Sequence, residues 1–180
     1  MLHSSFPGNE WVTILELETG KLITEPLKKG VKSIVPAPDS QTVIVLHDKA
    51  DGVPVQGEPL EDFIDKSWGY SVLHLDEGFA KLQLTNSRPG EIATTPDGAL
   101  GFVLVADDSG VSHYVDRVDL RGLFVTSLAL GSPPQHAVHI PAGERMAISQ
   151  DHPIGRITFI GTDDGSSETV TGFELNGLIE

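Results

Sequence analysis

Short apolar runs separated by turn residues recur along the chain, a pattern that is typical of β-strands. The clearest stretch, residues 91–105, reads as an apolar strand, the turn Pro96-Asp97-Gly98 and a second apolar strand. Similar hairpins surround Pro38 and Pro141. The sequence therefore predicts an array of small antiparallel sheets.

The spacing of the hairpins indicates a structural repeat. The same interval of 21 residues separates three pairs of positions: Leu17 and Pro38, Leu75 and Pro96, and Leu120 and Pro141. Pro96 and Pro141 are 45 residues apart, which agrees with the roughly 40–50 residues of a four-stranded propeller blade. Pro38 and Pro96 are 58 residues apart, so the first full unit carries an insertion.

We assign residues 48–68 to this insertion. It contains more acidic than basic residues, and Leu60, Phe63 and Ile64 follow a helical spacing that predicts one or two helical turns. Two interpretations stay open. The insertion covers or extends a binding surface, or it is a solvated excursion, which surface loops tolerate at low cost.

Several strands are apolar on both faces. Residues 42–46 and 102–106 do not alternate cleanly between apolar and polar positions. A β-sandwich would show a cleaner alternation, whereas sheets that stack face to face in a ring bury both faces. We therefore predict an all-β protein with a β-propeller fold.

The strands divide into about three and a half antiparallel four-stranded blades. Residues 11–17 and 21–27 would form the outer half of one blade, and three full blades would follow: residues 31–37, 42–47, 69–75 and 80–84; residues 90–95, 101–106, 113–120 and 124–130; and residues 135–140, 145–150, 156–162 and 168–174. Propellers close with about 4–8 blades. We therefore expect residues 1–180 to be a single partial domain of a larger ring, completed by remaining blades or by another chain, as in a homodimer.

The repeat resembles the YVTN-type β-propeller family. Its units read as an apolar strand, an acidic turn closed by Gly, a strand, a Pro-containing loop, a strand, Pro-Asp-Gly and a strand. Residues 16–20, 131–134 and 95–98 supply the acidic turn, the Pro-containing loop and Pro-Asp-Gly. The Tyr-Val-Thr-Asn string is absent, and the hairpin at residues 141–143 lacks the Asp.

The resemblance has implications for topology and function. It implies that the strand before Pro-Asp-Gly lies innermost, as in WD40-like propellers. It also implies a bacterial, often extracytoplasmic, protein whose fold is shared with lactonase-like and quinoprotein-like proteins. The residues themselves do not fix the compartment.

Composition excludes several classes of function. The chain has 12 Lys and Arg against 26 Asp and Glu, and its net charge of -14 disfavours nucleic acid and anionic membranes as partners. Cations or basic protein surfaces suit this field better. The absence of cysteine excludes disulfides, thiolate zinc sites and a cysteine nucleophile. Apolar runs are too short for membrane insertion, which requires about 20 residues.

The predicted topology places two sets of loops on one face of the blades. These are the loops that leave each second strand and the loops that enter each innermost strand. The insertion lies on this face, together with the candidate binding residues Asp107, Asp108, Gln150, Asp151 and His152. Asp163-Asp164-Gly165 has carboxylates but no EF-hand spacing, so turn geometry accounts for it better than calcium does.

Catalytic and cofactor signatures are missing from the sequence. His136 and His139 are three residues apart on a predicted strand and would point to opposite faces. Gly-Xaa-Ser-Xaa-Gly and a phosphate-binding loop are both absent. We assign no catalytic, cofactor-binding or metal-binding residue and expect no cofactor. The sequence favours a non-enzymatic scaffold that binds a protein or a ligand through its loop face. The alternatives are part of a lactonase-like or quinoprotein-like enzyme, or a structural repeat of a large surface protein.

Overall fold

The structure, a computed structural model, describes residues 1–6, 8–38, 41–106 and 112–172. In this part of the chain the strands form one three-stranded and three four-stranded antiparallel sheets. Strands that are neighbours in each sheet are also consecutive in the chain, so every sheet is a simple meander. The chain divides into two compact units, Met1–Pro89 and Gly90–Glu180.

The first unit begins with the three-stranded sheet. Its strands are β1 (Leu2–Phe6), β2 (Asn9–Leu15) and β3 (Leu22–Pro26). The prediction placed two strands here, in residues 11–17 and 21–27, and β1 is an additional strand that pairs with β2 from Leu2 to Phe6. β1 is mostly exposed and carries few apolar residues, which explains why the hydrophobic pattern missed it.

The first four-stranded sheet completes the first unit. Its strands are β4 (Val31–Pro36), β5 (Thr42–His47), β6 (Trp68–His74) and β7 (Phe79–Thr85). Every residue of β5 is buried, as its apolar character on both faces predicted. One buried cluster of this unit consists of six apolar residues: Val12, Leu27, Val31, Val43, Val45 and Leu73.

Residues 48–67 connect β5 to β6 and contain the helix α1 (Leu60–Lys66). The helix lies where the sequence predicted one or two helical turns. Trp68 already belongs to β6, so the strand begins one residue earlier than the predicted blade. No helix in the described ranges is both long and apolar enough to cross a lipid bilayer.

The second unit holds the remaining two sheets. The strands of one are β8 (Arg88–Thr94), β9 (Leu100–Ala106), β10 (His113–Asp119) and β11 (Val125–Ala129). Those of the other are β12 (Pro134–Ile140), β13 (Arg145–Gln150), β14 (Arg156–Gly161) and β15 (Ser167–Thr171). A buried cluster joins them: Phe102, Leu104, Val115, Leu130, Met146, Ile148 and Ile160.

The hairpin turns explain the repeated Pro-Asp-Gly pattern. Gly98 has a φ of +67°, and its amide donates a hydrogen bond to the Thr95 carbonyl at 3.0 Å. Glycine adopts this left-handed conformation without steric cost. In the hairpin without Asp, Pro141–Gly143 form a 3₁₀ turn and Glu144 takes the left-handed position, with a φ of 47°. Asp39 lies outside the described residues.

Candidate functional site

Lys29 anchors the insertion to the sheet. Its side chain is only 1% exposed, and its Nζ donates hydrogen bonds to the carbonyl oxygens of Ile64 at 2.6 Å and Asp65 at 3.0 Å. These carbonyls lie in the last turn of α1, and each also accepts one backbone amide, from Ser67 and Ala50 respectively. Burial lowers the pKa of Lys29, and the nearby Asp65 carboxylate opposes this shift. The amine therefore fixes the helix to the segment between β3 and β4.

Further contacts hold the insertion in shape. The Lys66 Nζ lies 2.5 Å from the Glu58 carboxylate, and the hydrogen bond between them is the main reason that the pKa of Glu58 is lowered. The Ala50 amide donates to the Asp65 carbonyl at 2.8 Å. The Ser67 hydroxyl donates to the Phe63 carbonyl at 2.7 Å. Lys29 thus holds the insertion against the sheet, and hydrogen bonds within the insertion stabilise its conformation.

A pocket of about 390 Å³ lies between the insertion and the edge of the sheet. Its lining includes Phe63 and Trp68 together with two lysines, Lys49 and Lys66. The Lys49 Nζ lies 5.7 Å from the centroid of the Trp68 ring, within the range of a cation–π contact. The pocket therefore combines aromatic surface with positive charge.

The insertion also exposes apolar side chains, one of which, Val53, lines the pocket. Three large apolar side chains are mostly exposed: Val53 at 75%, Val55 at 59% and Leu60 at 71%. Four acidic residues on the insertion are also exposed: Asp48, Asp51, Glu61 and Asp62. Lys49, Lys66 and Val53 line the pocket and these four carboxylates do not, so the insertion exposes both apolar and acidic side chains.

The five predicted binding residues have separate outcomes. Asp107 and Asp108 lie outside the described residues. Gln150 is buried: its Oε1 accepts a hydrogen bond from the Ser132 amide at 3.0 Å, and its Nε2 donates to the Thr158 hydroxyl at 2.6 Å. This side chain holds a loop to the sheet and offers no free polar group.

Asp151 and His152 lie on the loop that follows β13. Asp151 is exposed, and its amide donates to the Pro133 carbonyl at 2.7 Å. His152 is half-buried, and its Nδ1 accepts a hydrogen bond from the Ile154 amide at 3.4 Å. The structure thus brings two of the five predicted side chains to the surface of one loop, and the shared binding face stays a prediction.

A repeated polar contact in the sheets escaped the sequence analysis. His47 is buried, with its Nε2 2.7 Å from the Ser71 hydroxyl and its Nδ1 3.1 Å from the Gly30 carbonyl. Desolvation, with a contribution from the charge of Lys29, lowers the pKa of His47 to about 4. His47 and Gln150 each stand nine residues after a hairpin proline. Both bind a hydroxyl on the next strand, so this interaction is structural.

The second unit contains a larger cleft, with a volume of about 490 Å³. Arg117 and His139 line it, and the Arg117 Nη2 donates to the Thr162 carbonyl at 2.5 Å. His139 lies in the cleft while His136 pairs with Glu91 at 2.8 Å, so the two histidines have different surroundings.

Three exposed acidic residues, Asp97, Glu144 and Asp163, form the rim of the cleft. Asp97 accepts a hydrogen bond from the Ala99 amide at 3.1 Å. Hydrogen bonds, first that from the Thr95 side chain and then that from Ala99, lower the pKa of Asp97 and keep it ionised. Within the described ranges, no group of three or more histidine, aspartate or glutamate side chains could hold a metal ion.

Comparison with solved structures identifies the fold. The chain is similar to hydrazine synthase from Kuenenia stuttgartiensis, with a TM-score of 0.55 and 15% identity over 93% of this chain and 49% of that one. It is also similar to the β-propeller domain of the trilobed protease from Pyrococcus furiosus, with a TM-score of 0.55 and 11% identity over 81% and 43% of the two chains. A third match is an acylaminoacyl peptidase, with a TM-score of 0.53 and 15% identity over 92% and 28% of the two chains.

These matches confirm an all-β fold, a partial β-propeller. The chain spans less than half the length of each of the three structures. No family model and no curated protein matches the sequence. At sequence identities of 11–15% the similarity shows a shared fold alone, so the activities of the matched proteins are not assigned to this chain.

Proposed function

We propose that this protein is a non-enzymatic β-propeller module, of a type resembling YVTN-repeat propellers, that binds a protein partner through its insertion. The observation that carries the proposal is the exposure of Val53, Val55 and Leu60 on a segment pinned by Lys29. Burying a Val or Leu side chain stabilises a contact by about 1.5–3 kcal/mol. A pinned segment that holds three such side chains in water is suited to bury them against a partner.

The charge of the insertion defines the kind of partner. The insertion exposes four acidic residues as well as the three apolar side chains, and the whole chain has a net charge of -14. Complementary potentials steer association and reject wrong partners. We therefore expect a partner surface in which apolar residues are surrounded by lysine or arginine. The pocket beside Phe63 and Trp68 is large enough to receive an anchoring side chain from it.

Site-specific photo-crosslinking tests this proposal. A photoreactive amino acid replaces Val55 in one variant and Val170, which is 43% exposed on β15, in a matched control. Each variant is irradiated in an extract of the source organism, and any protein captured only from position 55 is then purified. Capture of a protein from the extract does not by itself support the proposal. The proposal is supported when the purified partner binds the purified chain.

The decisive comparison uses the variant V53S/V55S/L60S. We expect it to bind the purified partner at least about tenfold more weakly than the unmodified chain, because it removes three apolar contacts. The control V138S changes another exposed valine, 62% exposed on β12, and should bind normally. Equal affinity of the triple variant, or the absence of any partner specific to position 55, would refute the proposal.

A further inference from the structure

Arg117 occupies a repeat position that holds apolar residues in the other four-stranded sheets. The sixth residues after the hairpin prolines are Ile44, Phe102 and Ala147. Their partners on the next strand are, in the same order, Val72, Arg117 and Phe159. Arg117 is half-buried, so its guanidinium needs hydrogen-bond partners to replace the water that it loses.

The structure compensates Arg117 only in part. Its Nη2 donates to the Thr162 carbonyl, but its Nε is buried without a hydrogen-bond partner. It takes part in none of the ion pairs found in the described ranges. A native protein seldom leaves a buried donor unpaired. In the described residues the Nε of Arg156 and the Nδ1 of His113 are also buried without a partner, so the unpaired Nε of Arg117 is informative only together with the position of Arg117 in the cleft.

His139 provides a second unpaired nitrogen in the same cleft. Its Nδ1 is buried and has no hydrogen-bond partner. His139 stands two residues before Pro141, at the position where the other hairpins have Thr94 and Pro36. Two buried nitrogen atoms without a partner thus belong to residues that line one cleft, Arg117 on β10 and His139 on β12.

We propose that this cleft binds a small carboxylic acid that also carries amino or hydroxyl groups. The ligand's carboxylate accepts hydrogen bonds from the Arg117 guanidinium and from the His139 ring. Its amino or hydroxyl groups donate to the rim carboxylates of Asp97, Glu144 and Asp163. These same carboxylates repel an anion that has nothing to donate, which excludes simple carboxylates. The volume of about 490 Å³ suits a small molecule.

A titration followed by amide chemical shifts tests the proposal on the full chain. The amino acid arm uses glycine and L-serine, and the hydroxy acid arm uses glycolate and L-malate. Propionate serves as the carboxylate without donors. We expect the amides of Ala99, Leu100 and Glu144, which line the cleft, to shift with one arm or both and not with propionate. The arm that binds more tightly distinguishes amino acids from hydroxy acids.

Two variants identify the residues responsible. R117V installs the residue type found at the matching position of the first unit, and we expect it to weaken binding at least tenfold without lowering Tm. H139T copies Thr94 and should weaken binding several-fold. R145Q, which removes a cation that pairs with Glu168 outside the cleft, should bind as the unmodified chain does.

Several outcomes would overturn the proposal. The first is that no cleft amide shifts with any probe at about 20 mM, which corresponds to less than about 2–3 kcal/mol of binding free energy. The second is unchanged affinity in both R117V and H139T. The third is that propionate binds as tightly as the acids that carry donors. If R117V does not fold, H139T decides, because it removes no permanent charge. The cleft belongs to the second unit and the insertion to the first, so failure of the partner-binding experiment leaves this test unaffected.

Discussion

His47 shows how one buried side chain makes stability depend on pH. Both ring nitrogens have partners inside the first unit, Gly30 and Ser71, and desolvation lowers its pKa from 6.5 to about 4. Between these two pH values the His47 ring is protonated in the unfolded chain and neutral in the folded chain. Stability therefore declines as the pH falls from 6.5 towards 4, and this contribution is fully present above pH 6.5.

We predict that H47Q flattens this acid dependence. Glutamine occupies the corresponding position in the last sheet, as Gln150, and still reaches a hydroxyl, so the variant should fold. The shift in pKa corresponds to at most about 3 kcal/mol across the window. Urea unfolding at several pH values from 4 to 7.5 measures the slope. H3Q, which changes an exposed histidine, should retain the slope of the unmodified chain, and an equally steep slope in H47Q would contradict the prediction.

The sequence contained part of this information at the level of single residues. Counting from the hairpin prolines would have aligned His47 with Gln150. It would not have aligned Arg117 with Val72 and Phe159, which correspond only through the pairing of the strands. It would not have revealed which polar partners these side chains meet. The Ser71 hydroxyl and the unpaired Nε of Arg117 depend on strand register and side-chain rotamers, which hydrophobic periodicity does not determine.

Among the elements, the insertion depends on Lys29 for its position. Replacing Lys29 by Met keeps much of the length of the side chain but leaves the carbonyls of Ile64 and Asp65 without the ammonium. We predict a local loss of about 1–3 kcal/mol, since buried acceptors lose a charged donor. Faster amide exchange in α1 than in β5 would measure it. K28M changes the exposed neighbouring lysine and should leave α1 protected, and equal exchange in both variants would refute the anchoring role.

The strand β6 accepts no side chain at Gly69. A Cβ atom placed there would lie 2.6 Å from the Gln83 carbonyl oxygen on β7. We predict that G69A destabilises the protein by about 1–3 kcal/mol, because the backbone of the paired strand must move. Thermal unfolding measures the change. G90A is the matched control on β8, where the nearest atom to an added Cβ lies at 3.7 Å. Equal Tm values for G69A and G90A would contradict the prediction, because they would show that β6 and β7 can separate at little cost.

The strands and the short helix were predictable because they follow local rules. Runs such as β5 and β9 are apolar on both faces, and the turn at Gly98 requires a residue that tolerates a positive φ. β1 was not predicted because a mostly exposed strand has no hydrophobic pattern and is defined only by its pairing with β2. The pocket of the insertion was not predictable either, since Phe63 and Trp68 meet there only after the chain has folded.

For the whole molecule, a single partial propeller domain stays a prediction from the sequence, and the chain has two compact units. The repeat determines the succession of sheets, because each blade has its own meander of consecutive strands. The number of cooperative folding units is a separate property, since it depends on how much free energy couples neighbouring repeats. Sequence periodicity carries no information on that coupling.

We propose that the chain nevertheless unfolds as one cooperative domain, and G69A tests this proposal. The substitution lies in the first unit, whereas β9 is the buried second strand of a sheet in the second unit. In a single domain the slowest amides exchange only through global unfolding, so destabilisation in one place lowers protection everywhere by the same free energy. We expect the protection of β9 to fall in G69A by as much as that of β5, measured by hydrogen exchange. If β9 keeps the protection of the unmodified chain while β5 loses its own, the two units fold independently, and each binding proposal then belongs to a separate folding unit.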